Sequence, residues 1–288
     1  GDRYPTDRSL GVEIRQTSHA FESRPYDRFV IVEYLIRNIS RHTIHRTHVG
    51  FFADPDVFNE LRKNQPESGP YDDLTGYLRD RGIACTFDND GDVATRNDST
   101  FEDNWCPSGF GLAPVTIDPI PCCTTFNWWA TNFADVDWGP RRSNSKIPEG
   151  LGGGMPWMYA VMANGETDYD QAYSAINMTE KGWKPPLTGA RSANAANGLD
   201  SRWVLSYSFG DLAPYDSLRL VMAFVAGDSV HTVASRYPDP LHPDTFLAGL
   251  NLTDVRRNLD LARWAWGHKF SLDAAAPARL TVSPVADD

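Results

Sequence analysis

Residues 29–36 read FVIVEYLI and carry the strongest strand signal in the chain. β-Branched and aromatic side chains fill this run, and such side chains pack well on a pleated backbone. Nearly every position except Glu33 is apolar, which predicts a central strand covered on both faces. A turn follows at Asn38, and an apolar segment returns over residues 43–53. The pattern therefore predicts a β-hairpin that begins with this run.

Further strands are predicted at intervals along the chain. They cover residues 10–16, 82–87, 109–117, 123–131, 202–209 and 217–226. The last two are predicted to form a second hairpin, and Pro114 indicates an edge strand or a bulge. Residues 155–163 are interpreted as a short helix. Apolar side chains recur at helical spacing over residues 243–266, which predicts the one long helix.

Separated strand blocks followed by one late helix predict a mainly β fold. The expected architecture is an antiparallel β-sandwich with long decorated loops and a C-terminal helix. Residues 1–270 are predicted to form this single domain. Alanine and proline in the segment 271–288 indicate a linker or the start of a following module.

The overall charge restricts the classes of partner. A net charge of −11 and a pI near 5.0 argue against nucleic acid, because its binding proteins present basic surfaces. No apolar run approaches the roughly 18 residues of a transmembrane helix, so membrane insertion is not expected. The first residues, GDRYPTDRSLG, lack the apolar region of a signal peptide, which indicates a cytosolic protein or a mature form.

Aspartates are dense between Gly50 and Asp92, in the segments GFFADPDV, DDLTGY and TFDNDGD. Carboxylates this close repel one another unless solvent or a cation intervenes, and calcium is the hard cation that takes six to eight oxygen ligands. Gly91 permits a tight turn between Asp90 and Asp92. The sequence therefore predicts a calcium site with further ligands near its centre. The predicted centre is Asp88, Asp90 and Asp92, and the predicted additional ligands are Asp54, Asp56 and Asp73.

Other interpretations of the same residues remain open. The acidic segments are also compatible with three unrelated surface turns, or with the acid and base of a glycosidase. His42, His45 and His48 resemble a metal cluster in sequence, but positions three apart on a strand point to opposite faces. Exposed histidines are the simpler interpretation. No nucleophile elbow or phosphate-binding loop is present in the sequence.

The chain has four cysteines, and they show no zinc-type spacing. An even number at irregular spacing predicts two disulfides in an oxidising compartment, whereas buried free thiols are the alternative. The pairing stays open. The candidates are Cys85, Cys106, Cys122 and Cys123.

Tryptophans offer a possible carbohydrate surface. Trp128 and Trp129 are adjacent, so one is expected to face the core and the other solvent or a covering loop. Trp264 and Trp266 are expected to dock the C-terminal helix on the sheet. Exposure of Trp105, Trp129 or Trp138 beside a groove would indicate glycan binding.

Several segments together resemble a module of large secreted or cell-surface bacterial proteins. The matching segments are VIVEYLIRN (30–38), VGFFADPDV (49–57), DDLTGY (72–77), FDNDGD (87–92), TFNWW (125–129) and LSYSFGDLAPYDSLRLVMAFVAG (205–227). The resemblance covers residues 10–266 in order and implies a β-sandwich of an exported protein, with no implied activity. Pro55, the insert at 58–70 and the four cysteines depart from the pattern.

The combined prediction is a non-catalytic structural, adhesion or assembly module, extracellular or at the cell surface. Calcium and disulfides are expected to stabilise it. Its expected partners are other extracellular modules, copies of itself, or glycans. The alternative is a secreted hydrolase domain, or an accessory domain of one, that acts on glycans.

Overall fold

The computed structural model describes residues 10–57, 72–91, 108–130, 155–177, 190–233 and 238–271. Among these residues the strands are β1 (Val12–Ala20), β2 (Phe29–Asn38), β3 (Ile44–Ala53), β4 (Asp73–Leu78), β5 (Ile83–Asp88), β6 (Gly109–Asp118), β7 (Cys123–Ala130), β8 (Ser201–Leu212) and β9 (Ser217–Gly227). The helices are α1 (Met155–Ala163), α2 (Ser174–Asn177), α3 (Ala190–Ala196), α4 (Pro243–Ala248) and α5 (Thr253–Gly267).

The strands form two antiparallel sheets, so the predicted fold class is confirmed. The larger sheet has six strands in the order β1-β2-β9-β6-β5-β4, and the smaller has three in the order β3-β8-β7. Aromatic side chains fill the space between the sheets. Trp128 and Trp203 face each other across β7 and β8, and both side chains are fully buried with Phe126 and Leu205. Burial of several large rings supplies much of the apolar stabilisation of such a sandwich.

Helices cover the outer faces of both sheets. Helices α4 and α5 pack on the six-stranded sheet, where Val255 and Leu259 join a second apolar cluster with Ile83 and Val221. Helix α1 lies on the three-stranded sheet, and Ser206 of β8 donates a hydrogen bond to the Met162 carbonyl at 2.8 Å. The sandwich therefore lies between two helical layers, one at each face.

Both predicted hairpins are wrong in their pairing. Strand β2 pairs with β1 and β9, whereas β3 pairs with β8 in the other sheet. Likewise β8 belongs to the small sheet and β9 to the large one. The turns after β2 and β8 therefore cross between the sheets as arches. The two arches lie side by side, because β2 pairs with β9 and β3 pairs with β8.

Asn38 joins the two arches. Its side chain is fully buried, and its amide nitrogen lies 2.8–3.1 Å from the carbonyl oxygens of His42, Leu212 and Ala213. Its amide oxygen accepts hydrogen bonds from the backbone N–H and the hydroxyl of Ser40. A buried amide with all its hydrogen bonds made fixes the crossing of both chains at this point.

The segment 166–171 protects one edge of each sheet. At the small sheet it pairs with β7, where the N–H of Phe126 donates to the Glu166 carbonyl at 3.0 Å. At the large sheet the N–H of Thr75 on β4 donates to the Gln171 side chain at 3.1 Å. Exposed strand edges invite pairing with other chains, so this segment closes one side of the sandwich.

Two further predictions are corrected or refined. Strand β6 is flanked by β5 and β9, so Pro114 does not mark an edge; it marks the predicted bulge, a register shift between Pro114 and Thr116. The predicted long helix is interrupted between α4 and α5, at residues 249–252. The short helix at Met155–Ala163 is confirmed. Among the described residues, no helix has the length and apolar character needed to cross a membrane.

Candidate cation site

Carboxylates from four strand ends collect at one end of the sandwich, in two groups of three. The first group is Asp54, Asp56 and Asp200, and the second is Asp72, Asp88 and Asp90. Within each group, one carboxylate oxygen from each residue lies within 4.8 Å of those of the other two. The first group joins the end of β3 to the start of β8, and the second joins the start of β4 to the end of β5.

The second group is the more deeply placed. Asp88 and Asp90 are 0% and 3% exposed, and Asp72 is half-buried. The Asp88 side chain accepts hydrogen bonds from the backbone N–H of Asp90, at 2.9 Å, and of Gly91. Gly91 has a φ of 85°, a left-handed conformation that glycine adopts without strain. The chain therefore folds tightly back over Asp88 and brings the Asp90 carboxylate next to it.

His231 holds the same turn from the opposite side. Its Nε2 atom lies 2.7 Å from the carbonyl oxygen of Asp88, and the ring is almost completely buried. Burial lowers the pKa of His231 to about 4, so the ring is neutral at pH 7 and Nε2–H is the donor. The turn thereby receives a hydrogen bond without an added positive charge.

The loop before β8 packs closely against the second group. The side-chain amide of Asn89 donates to the Asn197 carbonyl at 2.7 Å, and the Leu199 N–H donates to the Asp73 carbonyl at 3.0 Å. A side chain at Gly198 would place its Cβ 2.0 Å from the carbonyl oxygen of Asp72. Gly198 therefore allows this loop to reach β4 and to place Asp200 beside β3.

Asp73 lies between the groups and belongs to neither. Its two carboxylate oxygens are 3.2–3.3 Å from the backbone nitrogen of Val57, which follows directly on Asp56. Burial raises the pKa of Asp73 well above its usual range, and the charges of Asp72, Asp56 and Asp200 raise it further. Asp73 therefore positions the segment that carries the first group.

The first group is more open to solvent. Asp54 and Asp56 are exposed and Asp200 is buried. Arg202 of β8 forms an ion pair with Asp54 at 2.6 Å. Partial burial raises the pKa of Asp56, and the neighbouring charges of Asp54 and Asp200 raise it further. An acidic group whose charges disfavour one another is a reasonable set of ligands for a cation.

The structure brings together four of the six predicted ligands, divided between the two groups: Asp54, Asp56, Asp88 and Asp90. Asp92 lies outside the described residues. Asp72 and Asp200 were not predicted. Asp200 is 144 residues from Asp56, and only the pairing of β3 with β8 brings the two together. No local pattern around Asp200 indicates this proximity.

The three described cysteines are free thiols, so the predicted disulfides are not formed by them. Cys85 is buried among the residues beneath α5, and its thiol donates to the Gly76 carbonyl at 3.5 Å. Cys122 and Cys123 belong to the other sheet, where the thiol of Cys122 donates to the Ser208 carbonyl at 3.1 Å. The sandwich separates Cys85 from this pair, and Cys106 lies outside the described residues.

The histidines do not form a metal cluster. His45 pairs with Asp211 at 2.8 Å, and this bond lowers the pKa of the Asp211 carboxyl. His48 contacts the Ser208 hydroxyl at 2.7 Å, and His42 is exposed. The interpretation as exposed histidines holds for His42 and His45, whereas His48 is half-buried against Tyr159.

The described tryptophans are buried or partly buried against the protein. Trp129 is 3% exposed and packs beside Phe52, so it offers no carbohydrate surface. Trp264 stacks on Tyr26, and Trp266 contacts His19 of β1, which confirms that they dock α5. Trp105 and Trp138 lie outside the described residues.

These features define a helix-flanked antiparallel β-sandwich that carries two groups of carboxylates at one end. The chain matches no protein-family model, and no curated protein has significant sequence similarity to it. The functional argument therefore depends on the chemistry of the residues themselves.

Proposed function

We propose that this chain is a calcium-stabilised module of a secreted or cell-surface protein, with a role in structure, adhesion or assembly. One observation carries the proposal: carboxylates from strand ends far apart in sequence converge in two tight groups. Each group would supply three anionic ligands. Backbone carbonyls and water would complete the six to eight oxygens that calcium takes.

The burial of the second group supports a cation there. Asp88 and Asp90 are among the most buried polar residues, and carboxylates buried this deeply are ordinarily stabilised by hydrogen bonds, by opposite charges or by a metal ion. Asn89 lies between them in sequence and is 1% exposed. Within the described part of the chain, its side-chain oxygen accepts no hydrogen bond. Neutral oxygen atoms of this kind are ordinary calcium ligands.

The cation would have a mechanical role. The second group ties the start of β4 to the end of β5, and the first ties the end of β3 to the start of β8. The strands β4 and β5 belong to the large sheet, and β3 and β8 belong to the small sheet. One bound ion would therefore fasten two strands of each sheet, and both ions would lie at the same end of the sandwich. Weak calcium sites are filled at the millimolar concentrations outside cells, which favours an extracellular location.

Thermal unfolding with calcium, magnesium and chelator tests the proposal. Calcium at 100 times its Kd would stabilise the native state by about 2.7 kcal/mol. That corresponds to a rise in Tm of roughly 5–10 °C for a chain of this size. Magnesium should have a smaller effect, because it demands near-octahedral geometry. Equal melting temperatures in calcium and in chelator would contradict the proposal.

A hydrolase that acts on glycans is the second candidate, and the raised pKa of Asp56 beside Asp54 favours it. A retaining glycosidase needs two carboxyl groups only about 5 Å apart, one of which stays protonated. Hydrolysis of a polysaccharide panel, lost in the Asp56→Asn variant, would support this candidate. Calcium-dependent stability without such hydrolysis would favour the structural module.

A further inference from the structure

A cavity of about 210 Å³ lies between the outer face of the large sheet and the connection from α4 to α5. Leu74 and Phe87 of β4 and β5 form one wall, and Leu247, Leu250 and Leu252 form the other. The cavity is on the opposite face of the sheet from the aromatic core. It is therefore separate from the interior of the sandwich.

The interruption of the predicted long helix forms one wall of this cavity. The backbone N–H of Asn251 donates to the Val230 carbonyl at 2.8 Å, which fixes the connection between α4 and α5. Leu250 and Leu252 flank that residue and line the cavity. A continuous helix would not hold these two leucines at this position, so the break in the helix is part of the cavity's construction.

A glycine in β4 keeps the opposite wall open. Gly76 lines the cavity, and an added Cβ would lie 2.7 Å from the carboxylate oxygen Oδ1 of Asp170. Glycine weakens a strand interior, and it often marks a close approach of a ligand or another chain segment. Here it allows the Asp170 carboxyl to reach a mainly apolar wall.

Two charged side chains line the cavity, Asp170 on the inner side and Arg256 on the solvent side. Oδ1 of Asp170 accepts the Tyr77 N–H at 2.8 Å, and burial raises the pKa of this carboxyl. Among the described residues, the structure gives its second oxygen no hydrogen-bond donor. Arg256 lines the cavity at the solvent side, where it pairs with Asp80 at 3.2 Å.

We propose that this cavity binds a small amphipathic molecule with an apolar body about the size of one aromatic ring and a hydrogen-bond donor directed at Asp170. The donor is an ammonium or a hydroxyl group. An apolar cavity of about 150 Å³ holds one benzene molecule, so 210 Å³ accommodates a ring with a short polar substituent. A few convergent polar groups in an apolar pocket are typical of ligand sites. A carboxylate ligand is disfavoured because it would meet the Asp170 carboxyl.

Binding of four related probes tests this inference. Toluene, benzyl alcohol, benzylamine and benzoate share the ring and differ in the head group, and ligand-observed NMR measures their affinities. We expect benzyl alcohol and benzylamine to bind about tenfold more tightly than toluene, which is the effect of one hydrogen bond. Benzoate should bind most weakly. Failure of all four to bind at millimolar concentration would overturn the inference, as would equal affinity for benzoate and benzylamine.

Two variants test whether the probes bind in this cavity. Asp170→Asn keeps an acceptor for Tyr77 and should reduce the affinity for benzylamine to that for toluene. Leu250→Phe extends a side chain into the cavity and should abolish binding of every probe. Unchanged binding in both variants would overturn the proposed location. The measurements are made in calcium and in chelator, so the outcome does not depend on the cation site.

Discussion

The carboxylate oxygen Oδ1 of Asp170 accepts a hydrogen bond from the backbone N–H of Tyr77 at 2.8 Å. Tyr77 lies on β4, the edge strand of the large sheet, so the side chain occupies the place of a neighbouring strand. Gln171 continues the arrangement: its side chain receives the Thr75 N–H and donates to the Asp73 carbonyl. The two side chains thus accept hydrogen bonds from the backbone N–H groups at the edge of β4, and these groups are no longer available to pair with another chain.

Asp170→Asn should leave the stability at pH 7 unchanged or higher. The amide oxygen preserves the acceptor for Tyr77, while the charge that burial disfavours is removed. Asp170→Ala lacks the acceptor and should lose about 1 kcal/mol in the free energy of unfolding. Urea unfolding of the three proteins checks this order. An asparagine variant as unstable as the alanine variant would contradict the role assigned to Oδ1.

The same pair of proteins should differ in pH dependence. Burial raises the pKa of Asp170 in the native state above its unfolded value of about 3.9, although the charge of Arg79 opposes the shift. The native state therefore binds more protons between these two values, and its stability falls as the pH rises through them. Asp170→Asn should gain stability relative to the wild type as the pH rises from about 4. A constant difference would refute the raised pKa.

Asn38→Asp should be more destabilising than Asn38→Ala. The alanine variant removes the donor to the carbonyls of His42, Leu212 and Ala213 and should lose about 3 kcal/mol. The aspartate variant additionally places a buried carboxylate oxygen against those carbonyls. Chemical denaturation measures both losses. Ser40→Ala is the mild control, because it removes one contact of Asn38 and two contacts with the His42 backbone but leaves the Asn38 amide nitrogen and its carbonyl partners in place. Equal stability of the two Asn38 variants would contradict the geometry of the arches.

Gly198→Ala should be far more destabilising than Gly210→Ala. Both glycines have a positive φ, 109° and 74°, so alanine is strained at each by about 1 kcal/mol. A Cβ at Gly210 meets no atom within 4 Å, whereas at Gly198 it would meet the Asp72 carbonyl at 2.0 Å. The difference in Tm between the two variants combines the close contact at Gly198 with the greater backbone strain of alanine at a φ of 109°. Similar losses would show that the loop before β8 does not pack on β4 as described.

Eight of the nine described strands were predictable from the sequence, whereas β4 (Asp73–Leu78) and the pairing of the strands were not. Alternation and β-branched residues predict where a strand runs, and every predicted strand is present. A turn between two strands looks the same whether they pair or cross between sheets. The crossing between the sheets is fixed by the buried side chain of Asn38, whose amide nitrogen donates hydrogen bonds to three carbonyls of the two arches. That environment exists only after both arches meet.

The candidate site was also predictable only where local sequence brings its residues together. Asp88 and Asp90 were predictable because a local turn brings them together. Asp72 joins them through the pairing of β4 with β5, and Asp200 joins Asp54 through the pairing of β3 with β8. Asp73 stands next to Asp72 in sequence, yet its carboxylate is engaged with Val57. The local density of aspartates therefore predicts the region of the site, but not which aspartates form it.

Calcium titration of the double variant Asp88→Asn/Asp90→Asn tests the central claim most directly. Asparagine retains the oxygen that accepts the turn hydrogen bonds, and Asp216→Asn/Asp239→Asn is a control that removes two exposed charges elsewhere. Isothermal titration calorimetry should detect calcium binding by the wild type and the control, and the loss of one binding event in the double variant. Identical calcium binding by all three proteins, or none by the wild type, would contradict the account.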